Sequence, residues 1–350
     1  MHMSDALLSP AVGTTFWVGS FVVLAHCARR LRENMDEKII PLMGAIGAFI
    51  FAAQMINFTI PGTGSSGHLG GGLMLAIVLG PHAAFLAIAS ILTIQSLFFA
   101  DGGILALGCN IWNLGFYPCF MAYPLIFQTI KKDHHSSTKR ILIASVLSAV
   151  VGLQLGALSV VAQTLFSGQS ELTFKVFASM MLPIHLAIGL VEGVITAGVV
   201  NYINRIRPEI LYSSAELKPF ASSISLKRLL LFFLCLSLIT GGLISWFAST
   251  NPDGLEWSIA KITGKHDLPA PNTGIASELK KIQNRTALLP DYNFKAEEKR
   301  SDQKGPDKTE TPWPRVEAGT SVSGLLGSLM ALCLIFLLGL AIKVIRKRKT

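Results

Sequence analysis

The sequence predicts an all-α polytopic membrane protein, a seven-helix unit followed by two further transmembrane helices. Three observations carry this. Of 350 residues, 51% are hydrophobic and only 15% charged, and the mean hydropathy is +0.52, more apolar surface than a soluble domain exposes. Apolar runs long enough to span a bilayer recur along the chain. The formal charge of +9 gathers in short hydrophilic turns and at the carboxyl end. That placement orients a membrane protein and does not suit a nucleic-acid surface, so no nucleic-acid partner is expected.

The runs fall at 11–28, 39–58, 103–127, 141–166, 174–204, 229–248 and 321–342. Between them, residues 69–100 form a longer apolar region that Gly80-Pro81 interrupts, giving helices at about 69–79 and 83–100. The first of these is too short to cross the hydrocarbon core alone, so it must be surrounded by protein or line a cavity. Nine segments with the amino terminus extracytoplasmic put every basic cluster on the cytoplasmic side: Arg29, Arg30 and Arg32; Lys131, Lys132, Lys139 and Arg140; Arg205 and Arg207; Lys227 and Arg228; and Lys343 through Lys349. The carboxyl terminus is then cytoplasmic, in a cell (inner) membrane.

Three parts follow: a membrane unit over 1–207, a polar Ser-rich linker over 208–228, and a two-helix unit over 229–350 with an outer loop at 249–320. Near-balanced charge and few aromatics make poor order the expectation for much of 265–316. Gly152 with Gly156, and Gly189 with Gly193, have the spacing that permits close helix approach, for internal packing or for a partner helix.

The chemistry begins at Met1-His2. A free terminal amine, the ionised amide nitrogen of His2 and its imidazole close a five- and a six-membered ring on one metal ion. Three nitrogens are then nearly coplanar, and a fourth completes a square suited to Ni(II) or Cu(II) rather than Zn(II) or Mg(II). Residues 1–10 carry one acid and no Lys or Arg, so they do not resemble a signal peptide. The bulky His2 also disfavours removal of Met1. On the same outer face, a flexible glycine-rich loop, Thr59 to Gly67, ends at His68, a source for the fourth nitrogen. Against this stands the bland reading that a histidine at position two is accidental.

Other candidates divide similarly. Glu192 lies deep in the seventh span, where an ionisable group is costly, and His185 is its expected partner on the same helical face. A structural hydrogen bond to a neighbouring helix is the plainer alternative. Asp101 is on the outer side, where it would cap a helix. His26 and His82 read as packing or interfacial residues, His134-His135 as solvated, and His266 as a lone loop histidine. All five cysteines lie in apolar stretches without a CxxC pair, so buried thiols are expected and no thiolate site. Gly62 to Gly67 fits GxGxxG but follows a membrane helix, outside any βαβ context, and neither a P-loop nor HExxH occurs.

Met1-His2 with Leu8-Ser9-Pro10, the run Asn57 to His68 (NFTIPGTGSSGH), Leu79-Gly80-Pro81, Gln95 to Asn113 (QSLFFADGGILALGCNIWN) and His185 to Gly193 resemble the substrate-binding membrane components of cobalt and nickel energy-coupling-factor (ECF) transporters, the CbiM/NikM family. The resemblance covers about 1–205. It implies a component that binds Ni(II) or Co(II) through Met1, His2 and His68, with Asn57, Ser66, Asp101, His185 and Glu192 as surrounding or pathway residues. It also implies a transmembrane scaffold (T) partner and separate cytoplasmic ABC ATPases. The metal is cargo and no cofactor is implied; the chain itself is not expected to be an enzyme. His82 departs from the family, which has tryptophan after Gly-Pro. Asn251 to Glu256 (NPDGLE) resembles the PDGLE domain, an accessory module of these transporters. The rival readings are a membrane-anchored metal sensor or accessory protein that moves nothing, and an intramembrane enzyme using Glu192 and His185.

Overall fold

Proline and glycine divide the helices where they interrupt the apolar pattern. The computed structural model describes residues 2–34, 36–131, 137–170, 172–211, 226–264, 274–295 and 313–347. Met1, His134-His135 and His266 lie outside these. Helix α1 (Pro10–Asn34) opens on a proline, tolerated in a first turn whose amide has no intrahelical acceptor, and α2 (Ile39–Gln54) follows. Next, α3 (Gly72–Leu79) and α4 (Pro81–Phe98) part at Gly80-Pro81. Every residue of α3 is buried, which is how an eight-residue helix persists in an apolar setting.

The fifth segment is one continuous rod of changing pitch. It begins as α5 (Leu107–Ile111), widens to a π-helical stretch over Trp112–Phe127, and ends as α6 (Gln128–Lys131). Pro118 and Pro124 lie inside the widened stretch and supply no amide donors. Ser137 caps α7 (Thr138–Ser167) by accepting the Arg140 amide, and α8 (Phe174–Ile206) packs along it. Gly189 and Gly193 let these two approach: a Cβ would stand 2.8 Å from the Val150 Cα and 2.4 Å from the Val146 Cα. The second of the two small-residue pairs thus serves internal packing.

The C-terminal part has α9 (Lys227–Gly242), α10 (Gly254–Thr263), α11 (Ile275–Thr286) and α12 (Ala318–Lys347). Helices α9 and α12 pack together and both lie on α2, with Phe49 against Phe233 and the Ser328 hydroxyl donating to the Ala48 carbonyl. Among the described helices, five are long and apolar enough to cross a membrane, and α2 is a shorter apolar one.

Three expectations change. Residues 58–67 are not a flexible loop. They form an antiparallel hairpin, β1 (Phe58–Ile60) with β2 (Ser65–Gly67), whose turn is allowed by Gly62 and Gly64 at φ of +76° and +74°. Residues 274–295 include an ordered helix, because α11 finds acceptors on the first unit: the Gln283 side-chain amide donates to the Ser96 and Gly102 carbonyls, and the Thr286 hydroxyl to that of Leu97. Finally, Cys235 and Cys333 sit on exposed helix faces, while Cys27, Cys109 and Cys119 are buried.

Candidate metal site

The N-terminal segment is anchored in the protein by its backbone at Met3 and by the Asp5 side chain. The Met3 amide donates to the Asn110 side-chain oxygen at 2.9 Å, the Gly103 amide to the Met3 carbonyl at 2.9 Å, and the Ala106 amide to the Asp5 carboxylate at 3.0 Å. Met3 is fully buried, as are Leu7 and Leu8. This anchoring explains the segment Asp101 to Asn110: its turn and the start of α5 form the cradle that fixes where His2 lies. Burial raises the carboxyl of Asp5 above its ordinary value.

His2 and His68 meet there. Their rings stack with centroids 4.9 Å apart and planes 4° from parallel. The His68 Nδ1–H donates to the Leu69 carbonyl at 3.0 Å, which puts the ring's lone pair on Nε2. Burial, then the positive charge of the chain's amino terminus and of His2, push His68 down to about 3, so it stays neutral at any ordinary pH. The His2 Nδ1–H donates to Asp101 Oδ1 at 3.0 Å. His2 Nε2 is buried and has no hydrogen-bond partner among the described residues. Burial works to raise the Asp101 carboxyl; attraction to His2 and hydrogen bonds from His2 and Tyr292 outweigh it and leave it at about 2.

One detail departs from the sequence reading. The six-membered chelate ring uses His2 Nδ1, and that nitrogen faces Asp101. A half-turn about Cβ–Cγ releases Nδ1 and carries Nε2 to the Asp101 side of the ring. Among the described residues no group of three or more His, Cys, Asp or Glu side chains is placed to hold a metal ion. The side chains alone therefore offer two imidazoles, and a complete square needs backbone nitrogens.

The remaining sequence candidates separate. Glu192 does not pair with His185. Its carboxylate reaches across to accept the Gly70 amide at 2.7 Å and the Gly71 amide at 3.1 Å, because these two precede α3 and have no intrahelical acceptor. It anchors the backbone just past His68. The His185 Nδ1–H is taken by the Met181 carbonyl one turn earlier at 2.8 Å. Ser66 is buried, its amide and hydroxyl donating to the Pro252 and Asn251 carbonyls. The Asn57 carbonyl accepts the Ser249 amide at 2.7 Å.

Sequence reasoning missed Asn110, Tyr292 and Asp253. Asn110 lies within the Gln95–Asn113 run. Tyr292, whose hydroxyl donates to Asp101, carries no local signal. Asp253 belongs to the NPDGLE run. It caps α10 by accepting the Leu255 and Glu256 amides at 2.8 and 2.9 Å, and Glu256 accepts the Asp253 amide in return, a capping box. The backbone there pairs in parallel with Ser66. Burial would raise the Asp253 carboxyl, but the positive charge of the chain's amino terminus and the Glu256 amide draw it well below the usual carboxylate range.

Residues 2–210 match the family described as the cobalt uptake substrate-specific transmembrane region, CbiM, and residues 227–344 match the PDGLE domain. A putative fused nickel transport protein, NikMN, of Archaeoglobus fulgidus is 32% identical over 338 residues, covering 97% of this chain and 98% of that protein. The cobalt transport protein CbiM of Sorangium cellulosum is 29% identical over 214 residues, 60% of this chain and 94% of that protein. A crystal structure of a transition metal transporter aligns with a TM-score of 0.52 at 30% identity, covering 62% of this chain and 99% of that one. With the helices and anchored N-terminal segment already described, these matches show that the chain is a multi-pass membrane protein belonging to the CbiM family, with a PDGLE domain after the family's own region.

Proposed function

We propose that this protein is the substrate-binding membrane component of an ECF-type transporter that imports Ni(II) or Co(II). The ion is captured on the extracytoplasmic side by the free amine of Met1, the amide and imidazole nitrogens of His2, and Nε2 of His68. A transmembrane scaffold partner and separate cytoplasmic ATPases supply the energy. The observation that carries this reading is the stacked His2–His68 pair, with the lone pair of His68 set on Nε2. Transport-protein relatives that include nickel and cobalt systems support the same class.

Loading turns the His2 ring, frees Nδ1 for the chelate, and leaves Asp101 to receive Nε2–H. Asp101 then orients a metal-bound imidazole, as carboxylates beside ligating histidines do. Four nitrogens in a plane favour Ni(II) modestly over Co(II), and would favour Cu(II) more, so metal availability contributes to selectivity.

Full-length protein beginning at Met1, its terminus verified by mass spectrometry, is titrated with Ni(II) and Co(II) by calorimetry. His2→Ala and His68→Ala each abolish high-affinity binding on this reading; intact binding in either refutes the ligand set. Nickel uptake by cells co-expressing scaffold and ATPase candidates tests transport. Binding without energised uptake would favour a sensor or accessory protein.

A further inference from the structure

The second unit reaches the site that the first unit carries. Residues 249–257 run along the hairpin as a strap. The Ser249 amide donates to the Asn57 carbonyl at 2.7 Å, the Thr59 and Ser249 hydroxyls meet at 2.8 Å, the Ser66 amide donates to the Pro252 carbonyl at 2.8 Å, and the Trp257 indole donates to the Thr63 carbonyl at 3.0 Å. Helix α10 then packs on α8 beyond it.

Two cavities, a small inner one and a large outer one, share this strap as part of their walls. The inner one, about 10 Å³, holds space for a single water-sized particle and is lined by His68, His185, Gly70 and Gly254 among others. The outer one, about 460 Å³, lies between the two units. Its walls carry five carboxyl groups, Asp5, Asp101, Asp253, Glu256 and Asp291, against one lysine, Lys280. His2 is in the same wall, its side chain only 6% exposed and its Nε2 buried without a partner among the described residues. Asp253 is the one described residue that lines both cavities.

We propose that the outer cavity is an entrance vestibule for the divalent cation, and that Asp253 with its strap is the inner gate of that vestibule. The proposal rests on the metal site set out under Proposed function. A cavity rich in carboxylates between low-dielectric walls concentrates cations. The carboxylate at its inner end stands between His2 in the vestibule wall and His68 in the inner cavity, and passes the ion on to His68. The strap is held to the hairpin by a few hydrogen bonds, exposed at Thr59–Ser249 and buried at Ser66, so it opens from its Ser249 end while the capping box keeps α10 wound. The second unit thereby sets how fast the metal arrives and leaves, while the first sets how tightly it is held.

Two variants of the full-length protein test this by stopped-flow nickel loading. Asp253→Asn keeps the acceptor that caps α10 and removes the charge. Its association rate at low ionic strength falls at least threefold with an unchanged melting temperature. Thr59→Cys/Ser249→Cys staples the strap to the hairpin on oxidation. The stapled form loads at least tenfold more slowly than the same protein reduced with a phosphine and desalted. Loading at the unaltered rate by either variant overturns the gate, while equilibrium nickel affinity near that of the unaltered protein leaves the metal site standing. No nickel binding by the unaltered protein overturns the site and the gate together.

Discussion

Tyr292 holds Asp101. Its hydroxyl donates to Oδ2 of the carboxylate whose Oδ1 takes the His2 Nδ1–H, so a residue far along the chain braces the side chain at its start. Tyr292 itself is fixed by stacking on Phe99, with ring centroids 5.1 Å apart, and by the adjoining Asp291 amide donating to the Phe99 carbonyl. The carboxyl-terminal unit therefore shapes the surroundings of both candidate ligands, His2 through Tyr292 and His68 through Asp253.

Asp101→Asn weakens nickel binding by roughly 10- to 100-fold, the usual effect of losing a carboxylate behind a ligating histidine. Tyr292→Phe acts in the same direction and more weakly, since Asp101 keeps its bond to His2. Calorimetry on the two variants and the double variant checks both the order and the expected non-additivity, because the residues form one chain of contacts.

Glu192→Ala leaves two buried amides, those of Gly70 and Gly71, without their acceptor. Each orphaned donor costs about 1–3 kcal/mol. The expected result is a lower melting temperature together with weaker metal binding, as the backbone next to His68 loosens. A variant with native melting and native affinity would show that the carboxylate does not anchor this turn.

How much of this the sequence disclosed depends on the range of the interaction. Local punctuation was readable: Gly80-Pro81 marks the break between α3 and α4, and the Gly189/Gly193 spacing marks a close helix contact without saying that α7 is its partner. Helix counting put His2 and His68 on one common face, and the two rings do meet. What was hidden is pairing across long separations. The residues 65–67 became a strand because a partner strand and Pro252 satisfy their backbone, and glycine composition alone suggested a mobile loop. Likewise α11 looked too polar to order, and it orders on acceptors supplied by residues 96–102. Glu192 and His185 share a helical face, but the free amides before α3 are stronger partners for a buried carboxylate than a neutral imidazole already bonded within its own helix.

Acid affects stability and loading through different groups. His68 has an ordinary value of 6.5 and about 3 in the folded protein. The unfolded chain takes up this proton first, so the stability His68 contributes is complete above 6.5 and is lost as pH falls toward about 3. Thermal melts between pH 7 and 4 show this fall, and His68→Asn flattens it. Nickel loading also weakens toward acid, because the terminal amine and the His2 amide must lose protons to bind. Since His68 remains neutral, that loss tracks the amine and amide rather than the second imidazole.

Gly193→Leu forces side-chain atoms into the space occupied by the Val146 backbone, where even a Cβ would be 2.4 Å from the Cα. Overpacking of this kind costs about 1–3 kcal/mol or more. The helix α8 would be pushed from α7, and with it the Glu192 anchor. Reduced expression and a lower melting temperature are expected, with Gly198→Leu, which meets open space, as the tolerated comparison.

The central claim is that a backbone amine at residue 1 is a metal ligand. Its most direct measurement compares nickel affinity in protein beginning at Met1 with that in the same protein carrying one additional glycine before it. The account predicts loss of high-affinity binding on extension, at unchanged melting temperature. Equal affinity in the two proteins would contradict it.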